Sequence, residues 1–135
     1  MITNKKILLL LLFVAIALTS CGGPKTVKVT LTDFKIESSL TEFKVGVPYH
    51  IVVSNESESN HELMIMPPVD SSMNMSMEQM DEMAIGMIED SDLVPGSTQT
   101  LDITFTEPAP AGTLEFACHT AKHYDAGMKL PITVK

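Results

Sequence analysis

Short segments in which apolar and polar residues alternate recur along this 135-residue chain. The clearest are TVKVTLTD at 26–33 and TQTLDITFT at 98–106, where every second residue is apolar over most of the segment. A period of two is typical of a strand with one buried face. Similar apolar or β-branched segments predict further strands at 47–54, 61–66, 113–118 and 130–134. Because the length suits one ordinary domain, the pattern predicts a single all-β sandwich.

Residues 70–92 interrupt the strand pattern. Ser76 and Gln79 fit a capping box, S-x-x-Q, which is typical of the start of a helix. Apolar residues then recur at helical spacing, at Met77, Met80, Ala84 and Met87. We therefore predict an amphipathic helix over 76–89, inserted between strands, with its methionine face packed on the core. Below, "the insert" means residues 70–92.

The N-terminal segment resembles a bacterial lipoprotein signal peptide. Lys5 and Lys6 precede twelve apolar residues at 7–18, and the last of these begins the sequence Leu-Thr-Ser-Cys, which ends at Cys21. Twelve residues are too few to span a bilayer, which needs about 20. The resemblance implies that residues 1–20 are removed and that Cys21 carries lipid, with 21–25 as a tether and 26–135 as the domain. An ordinary signal peptide that ends near Ser20 is the alternative.

The expected mature chain is strongly acidic. Its seven lysines, with no arginine, face 17 acidic residues and leave a net charge of −10. Such a surface argues against nucleic-acid binding, which needs positive charge to neutralise phosphates. It favours a basic protein partner. We expect a monomer in the cell envelope, attached to a membrane by its lipid, with the domain in the periplasm or outside the cell.

The segment EFACHTAKHYDAGMK, at 115–129, carries the chemistry. It presents Cys118, His123 and Met128 from one loop between two predicted strands. A second histidine, His61, begins a strand after a polar loop. Two imidazoles, a thiolate and a thioether are the ligand set of a type 1 copper site, whereas zinc would leave the methionine unused. The sequence therefore predicts one copper ion bound by these four residues.

The same segment resembles the copper loop of plastocyanin/azurin-like cupredoxins. It is closest to a subgroup with the loop C-H-x-P-G-H-Y-x-A-G-M, and NHELMI at 60–65 resembles the strand that carries the family's first histidine. The resemblance implies an eight-stranded Greek-key sandwich. Two departures stand out: Ala121-Lys122 replaces the Pro-Gly of the loop, and Glu62 replaces the Asn or Ser that commonly follows the first histidine.

The family resemblance implies electron transfer, so we expect a membrane-anchored carrier of single electrons between redox partners. The alternative is a copper-tolerance or copper-chaperone lipoprotein whose insert binds Cu(I) through Met73, Met75, Met77 and Met80. An enzyme is not expected, since the chain has four histidines and a type 1 site uses two. We interpret His50 as a surface histidine and His119 as structural, because it faces away from Cys118 in an extended segment.

Overall fold

The computed structural model describes residues 22–135, so the predicted signal peptide and Cys21 lie outside the described residues. Two β-sheets pack face to face over a core to which both contribute, which confirms the predicted all-β sandwich. Within this part of the chain there are nine strands, one more than the resemblance implies, and one of the nine lies in the insert. None of its helices is long and apolar enough to cross a membrane.

The first sheet has the strand order β2-β1-β4-β7, in which β1 and β4 run parallel and the other pairs antiparallel. Its alternating side chains place one face in the core, as Val27, Val29 and Leu31 of β1 show with at most 1% exposure. The strands are β1 (Lys25–Thr32), β2 (Lys35–Ser38), β4 (Pro48–Asn55) and β7 (Thr98–Thr104).

The second sheet has the order β3-β9-β8-β5-β6 and carries the candidate ligands at one end. Strand β8 begins at Ala109, four residues before the start predicted for it at 113, and its register against β9 shifts between Ala109 and Leu114. The strands are β3 (Glu42–Phe43), β5 (Leu63–Met66), β6 (Gly86–Ile88), β8 (Ala109–Ala117) and β9 (Lys129–Val134).

The predicted helix over 76–89 is wrong in its second half. The capping box at Ser76 and Gln79 is present, but helix α1 spans only Met77–Met83. After the helix the backbone becomes extended, and Gly86–Ile88 pairs with Leu63–Ile65 as strand β6. Pairing satisfies backbone groups of β5 that would otherwise lie buried at a sheet edge, and this outweighs the helical spacing of Met87. Gly86 also suits a close approach, since a Cβ there would lie 3.2 Å from Leu101.

The part of the insert that precedes β6 forms a third layer over the outer face of the second sheet. Strand β5 is consequently buried on both faces: Leu63 and Ile65 face the main core, and Met64 and Met66 face the insert. Met80 of α1 joins this second cluster, together with Val69. Met73 and Met77 do not, being 54% and 42% exposed. The predicted methionine face is therefore only partly buried.

This layering predicts unequal effects for two methionine substitutions. Met64→Ala should lower the free energy of unfolding by about 2–5 kcal/mol, because it opens a cavity between layers. Met77→Ala should change it by less than about 0.5 kcal/mol, since the side chain is largely exposed. Urea unfolding of the metal-free protein measures both. Equal effects of the two substitutions would contradict the buried third layer.

Candidate metal centre

The four predicted ligands lie at one end of the sandwich, just beyond the ends of neighbouring strands. Glu62 alone separates His61 from the start of β5 at Leu63, and Cys118 directly follows β8. Since β5 and β8 pair antiparallel, with Met64 opposite Ala117, these two residues meet although 57 positions separate them. A 3-10 turn at Thr120–Lys122 presents His123, and Met128 directly precedes β9. Below, "the copper loop" means residues 118–128.

Three ligand atoms converge in a compact triangle. The two Nδ1 atoms of His61 and His123 are 3.2 Å apart, and Cys118 Sγ lies 3.8 Å from the first and 3.5 Å from the second. Ligand atoms that share one metal ion at about 2.0–2.3 Å stand roughly 3–4 Å from each other. The triangle therefore fits a single bound metal ion. Among the histidine, cysteine and acidic side chains of residues 22–135, these three form the group whose ligand atoms lie close enough together to hold a metal ion.

His61 is held from behind by a buried polar network. Its Nε2 lies 2.7 Å from the hydroxyl of Ser57, which also lies 2.8 Å from Asn55 Oδ1. Asn55 in turn donates to the carbonyl oxygens of Ser59 and Leu93. When Ser57 donates to Asn55, it accepts from His61 Nε2–H, which leaves the lone pair of Nδ1 directed at the triangle. Metal-binding histidines are commonly fixed through their second nitrogen in this way.

Burial favours the neutral form of His61, which is the form that binds a metal ion. His61 is 1% exposed, and desolvation, followed by the nearby His123, lowers its pKa. Burial also raises the pKa of Cys118, so the thiol stays protonated without a metal. A coordinating metal ion deprotonates a thiol, and copper binding should therefore release a proton.

Met128 is fixed by backbone contacts to both neighbouring ligands. Its N–H donates to the carbonyl of His123 at 3.0 Å, and its carbonyl accepts from the N–H of Cys118 at 3.1 Å. Its side chain is fully buried in the main core with Cys118. The preceding Gly127 has a φ of +104°, which glycine adopts readily and other residues do not. The Gly-Met pair thus turns the chain from the copper loop into β9.

The loop departs from regular geometry where Ala121 and Lys122 replace Pro-Gly. Their φ angles are +36° and +67°, in the left-handed region that glycine tolerates best. A residue with a side chain costs about 1–2 kcal/mol in that conformation. Lys122 therefore adopts a backbone conformation suited to the family's glycine. Ala121, by contrast, has a φ that proline cannot adopt.

Glu62 links the two ligand segments. Its side chain is 5% exposed, and Oε1 accepts a hydrogen bond from the N–H of His119 at 2.7 Å. Its own backbone N–H points at Cys118 Sγ, 3.5 Å away. A glutamate in this position therefore ties the segment of His61 to the copper loop. Burial raises its pKa, which is consistent with its enclosed position.

The remaining histidines lie outside the triangle. His119 stacks on Tyr124, with ring centroids 4.3 Å apart and planes 12° from parallel. His50 lies on β4, where Nδ1 is 2.6 Å from a carboxylate oxygen of Asp102. Sequence reasoning did not find the supporting roles of Asn55 and Ser57. They stand in a polar segment with no periodic signal, and only the path of the loop brings Ser57 to His61.

Comparison with known proteins identifies the class. The family described as "Copper binding proteins, plastocyanin/azurin family" matches residues 25–135, and the chain belongs to this family. The protein is thus a cupredoxin, and copper is the cofactor for which the His61–Cys118–His123 cluster is typical. No curated protein matches the sequence.

Among solved structures, the fold is similar to auracyanins. Reduced auracyanin from Roseiflexus castenholzii has a TM-score of 0.62 at 20% identity, covering 84% of this chain and 99% of that one. Auracyanin B gives 0.63 at 16% identity, covering 84% and 91%. Auracyanin A from Chloroflexus aurantiacus, a blue copper protein, gives 0.55 at 21% identity, covering 84% and 100%. At these identities the likeness shows the fold.

The link through Glu62 can be tested with two substitutions. Glu62→Leu should lower the free energy of unfolding of the metal-free protein by about 1–3 kcal/mol, because it leaves the buried N–H of His119 without an acceptor. Glu62→Gln keeps an acceptor oxygen and should retain most of the stability. Urea unfolding gives both values. A glutamine variant as unstable as the leucine variant would argue that the hydrogen bond does not matter.

Proposed function

We propose that this protein carries single electrons between redox partners, using one type 1 copper ion bound by His61, Cys118, His123 and Met128. The observation that supports this best is the compact triangle of two imidazoles and a thiol, in which His61 and Cys118 are buried, with the fully buried Met128 in the same loop as Cys118. When bound, the copper would supply a one-electron redox couple, since thiolate and thioether suit Cu(I) and imidazole suits both oxidation states.

The protein's own residues would keep the site nearly unchanged between oxidation states. Ser57 holds His61 through Nε2, Glu62 ties together the two ligand segments, and backbone hydrogen bonds fix Met128. With the ligands held this firmly, little rearrangement accompanies the gain or loss of an electron. Four protein ligands would also leave no open position for a substrate, unlike a catalytic metal site. This favours a carrier over an enzyme.

Electrons would enter and leave through His123, which is the more accessible of the two histidines in the triangle. Its ring meets the edge of Phe34, 5.4 Å away, and Phe34 is 52% exposed at the turn after β1. An exposed aromatic ring beside the ligand offers an apolar contact for a partner. The acidic remainder of the surface would favour a partner with a basic face.

We further propose that Cys21 anchors the protein by lipid, with the copper end directed away from the membrane. Three residues separate Cys21 from the start of β1 at Lys25. Strand β1 then runs eight residues, about 23 Å from first to last Cα, before the turn that carries Phe34. The tether and the copper site therefore belong to opposite ends of the sandwich. A partner would reach His123 from the aqueous side.

The copper assignment predicts the behaviour of three variants of the full chain, purified in detergent and loaded with copper. Cys118→Ser should abolish intense visible absorption, because a hydroxyl cannot supply thiolate-to-copper charge transfer. Met128→Leu should keep the absorption and shift the reduction potential, which the axial ligand tunes. The control His50→Gln should match the unmodified protein. Visible and EPR spectra with voltammetry measure all three, and intense colour in Cys118→Ser would refute the ligand assignment.

The anchor predicts a specific modification. Mass spectrometry of the protein from its membrane should show a mature N-terminus at Cys21 that carries diacylglycerol. Cys21→Ala should release the protein from the membrane fraction without changing its visible spectrum, since Cys21 is not one of the four proposed copper ligands. A free, unmodified N-terminus at any other residue would refute the anchor and leave the copper assignment intact.

A further inference from the structure

A cavity of about 270 Å³ lies between the insert and the copper loop, outside the main core. Met75 and Met80 line it from the insert, and His119 and Tyr124 line it from the copper loop. Asp70 and Asp125 also contribute to its wall. The type 1 ligands do not line it, so the cavity is separate from the triangle, although His119 directly follows Cys118 in the chain.

His119 brings an unused nitrogen to this region. Its ring is held flat against Tyr124, and the opposing contact of Lys129 Nζ, 4.2 Å from the Tyr124 centroid, helps to fix that ring. Within residues 22–135, the buried Nε2 has no hydrogen-bond partner. A buried polar atom of this kind costs about 1–3 kcal/mol when it stays unpaired. No hydrogen bond compensates for the burial of His119 Nε2, so this nitrogen is available to bind a ligand.

The two methionines bring soft donors to the same cavity. Met80 is 8% exposed and is held by the cluster of Met64, Met66 and Val69, so its position is well supported. Met75 packs against this cluster and is partly buried. Thioethers and imidazole together suit Cu(I), whereas Mg²⁺ and Ca²⁺ prefer oxygen ligands. Asp70 is already engaged, since its Oδ1 accepts from the backbone N–H of Ser72 at 2.8 Å.

We propose that this cavity is a second copper site, which binds one Cu(I) ion through His119 Nε2 and the thioethers of Met75 and Met80. Binding needs no change of oxidation state, because the ion enters and stays as Cu(I). Of the four insert methionines that the sequence suggests for Cu(I), only these two line the cavity; Met73 and Met77 are largely exposed. The inference depends on the proposed function only in that the protein must encounter copper.

Uptake of a second ion tests the proposal. The full chain in detergent is loaded with one copper, reduced, and titrated anaerobically with Cu(I) against a competing chelator. The unmodified protein should take up one further Cu(I), and X-ray absorption of that ion should show sulfur and nitrogen neighbours. The double variant Met75→Leu/Met80→Leu should bind it at least about tenfold more weakly, since even losing a group that supports a ligand typically costs 10–100-fold in affinity.

A matched pair of controls identifies the ligands. Met73→Leu/Met77→Leu changes two methionines of the same segment and should retain the second ion. His119→Phe keeps a ring that stacks on Tyr124 while removing the nitrogen, and should weaken binding as the Met75/Met80 double variant does. Leucine preserves apolar volume, so folding should survive in both double variants. Circular dichroism and the visible absorption of the oxidised type 1 site check this for every variant.

The outcomes separate this inference from the proposed function. Uptake of no further Cu(I) by an unmodified protein with normal visible absorption would overturn the second site and leave the type 1 site standing. Loss of the second ion from Met73→Leu/Met77→Leu, or its retention by Met75→Leu/Met80→Leu, would also overturn the assignment. An unmodified protein that lacks intense absorption but binds Cu(I) through Met75 and Met80 would overturn the type 1 assignment alone.

Discussion

The antiparallel pairing of β5 with β8 is the constraint on which the rest of the site depends. It sets Met64 opposite Ala117, and the residues just beyond these strands therefore meet at one end of the sheet. This register brings His61 and Cys118 together. A slip of one residue would turn every side chain of β5 to the opposite face and separate the ligands. The two faces of β5 pack in different clusters, Leu63 and Ile65 in the main core and Met64 and Met66 under the insert, and this difference in packing favours the correct register.

The insert has a structural role that its composition does not reveal. It covers the outer face of β5, supplies β6 to the sheet edge and encloses a cluster rich in methionine. Methionine suits such a layer because its flexible side chain fills irregular gaps. Met75 and Met80 of this layer also line the cavity beside His119, so packing and the proposed copper binding are compatible. In Met80, burial within the cluster also supports the position of a proposed ligand.

Two separate sets of buried polar contacts hold the ligands in position. The network of Asn55 and Ser57 orients His61, and the carboxylate of Glu62 joins the two ligand segments. Such a framework is buried, so its hydrogen bonds are costly to break. The copper loop itself is less regular, with Ala121 and Lys122 in left-handed conformations. The framework outside the loop must therefore supply much of the rigidity that the proposed electron transfer requires.

The sequence by itself determined the all-β class, the position of most strands and the candidate ligands of the metal centre. These follow from local signals: alternation reports one buried face, Cys118, His123 and Met128 lie within one short loop between two strands, and His61 follows a polar loop. It did not determine where α1 ends, because the pairing of Gly86–Ile88 with β5 is a contact between distant segments. Nor did it reveal the cavity beside His119 or the contact of Glu62 with the copper loop. Only the tertiary structure decided these, since each depends on which separate segments share a face.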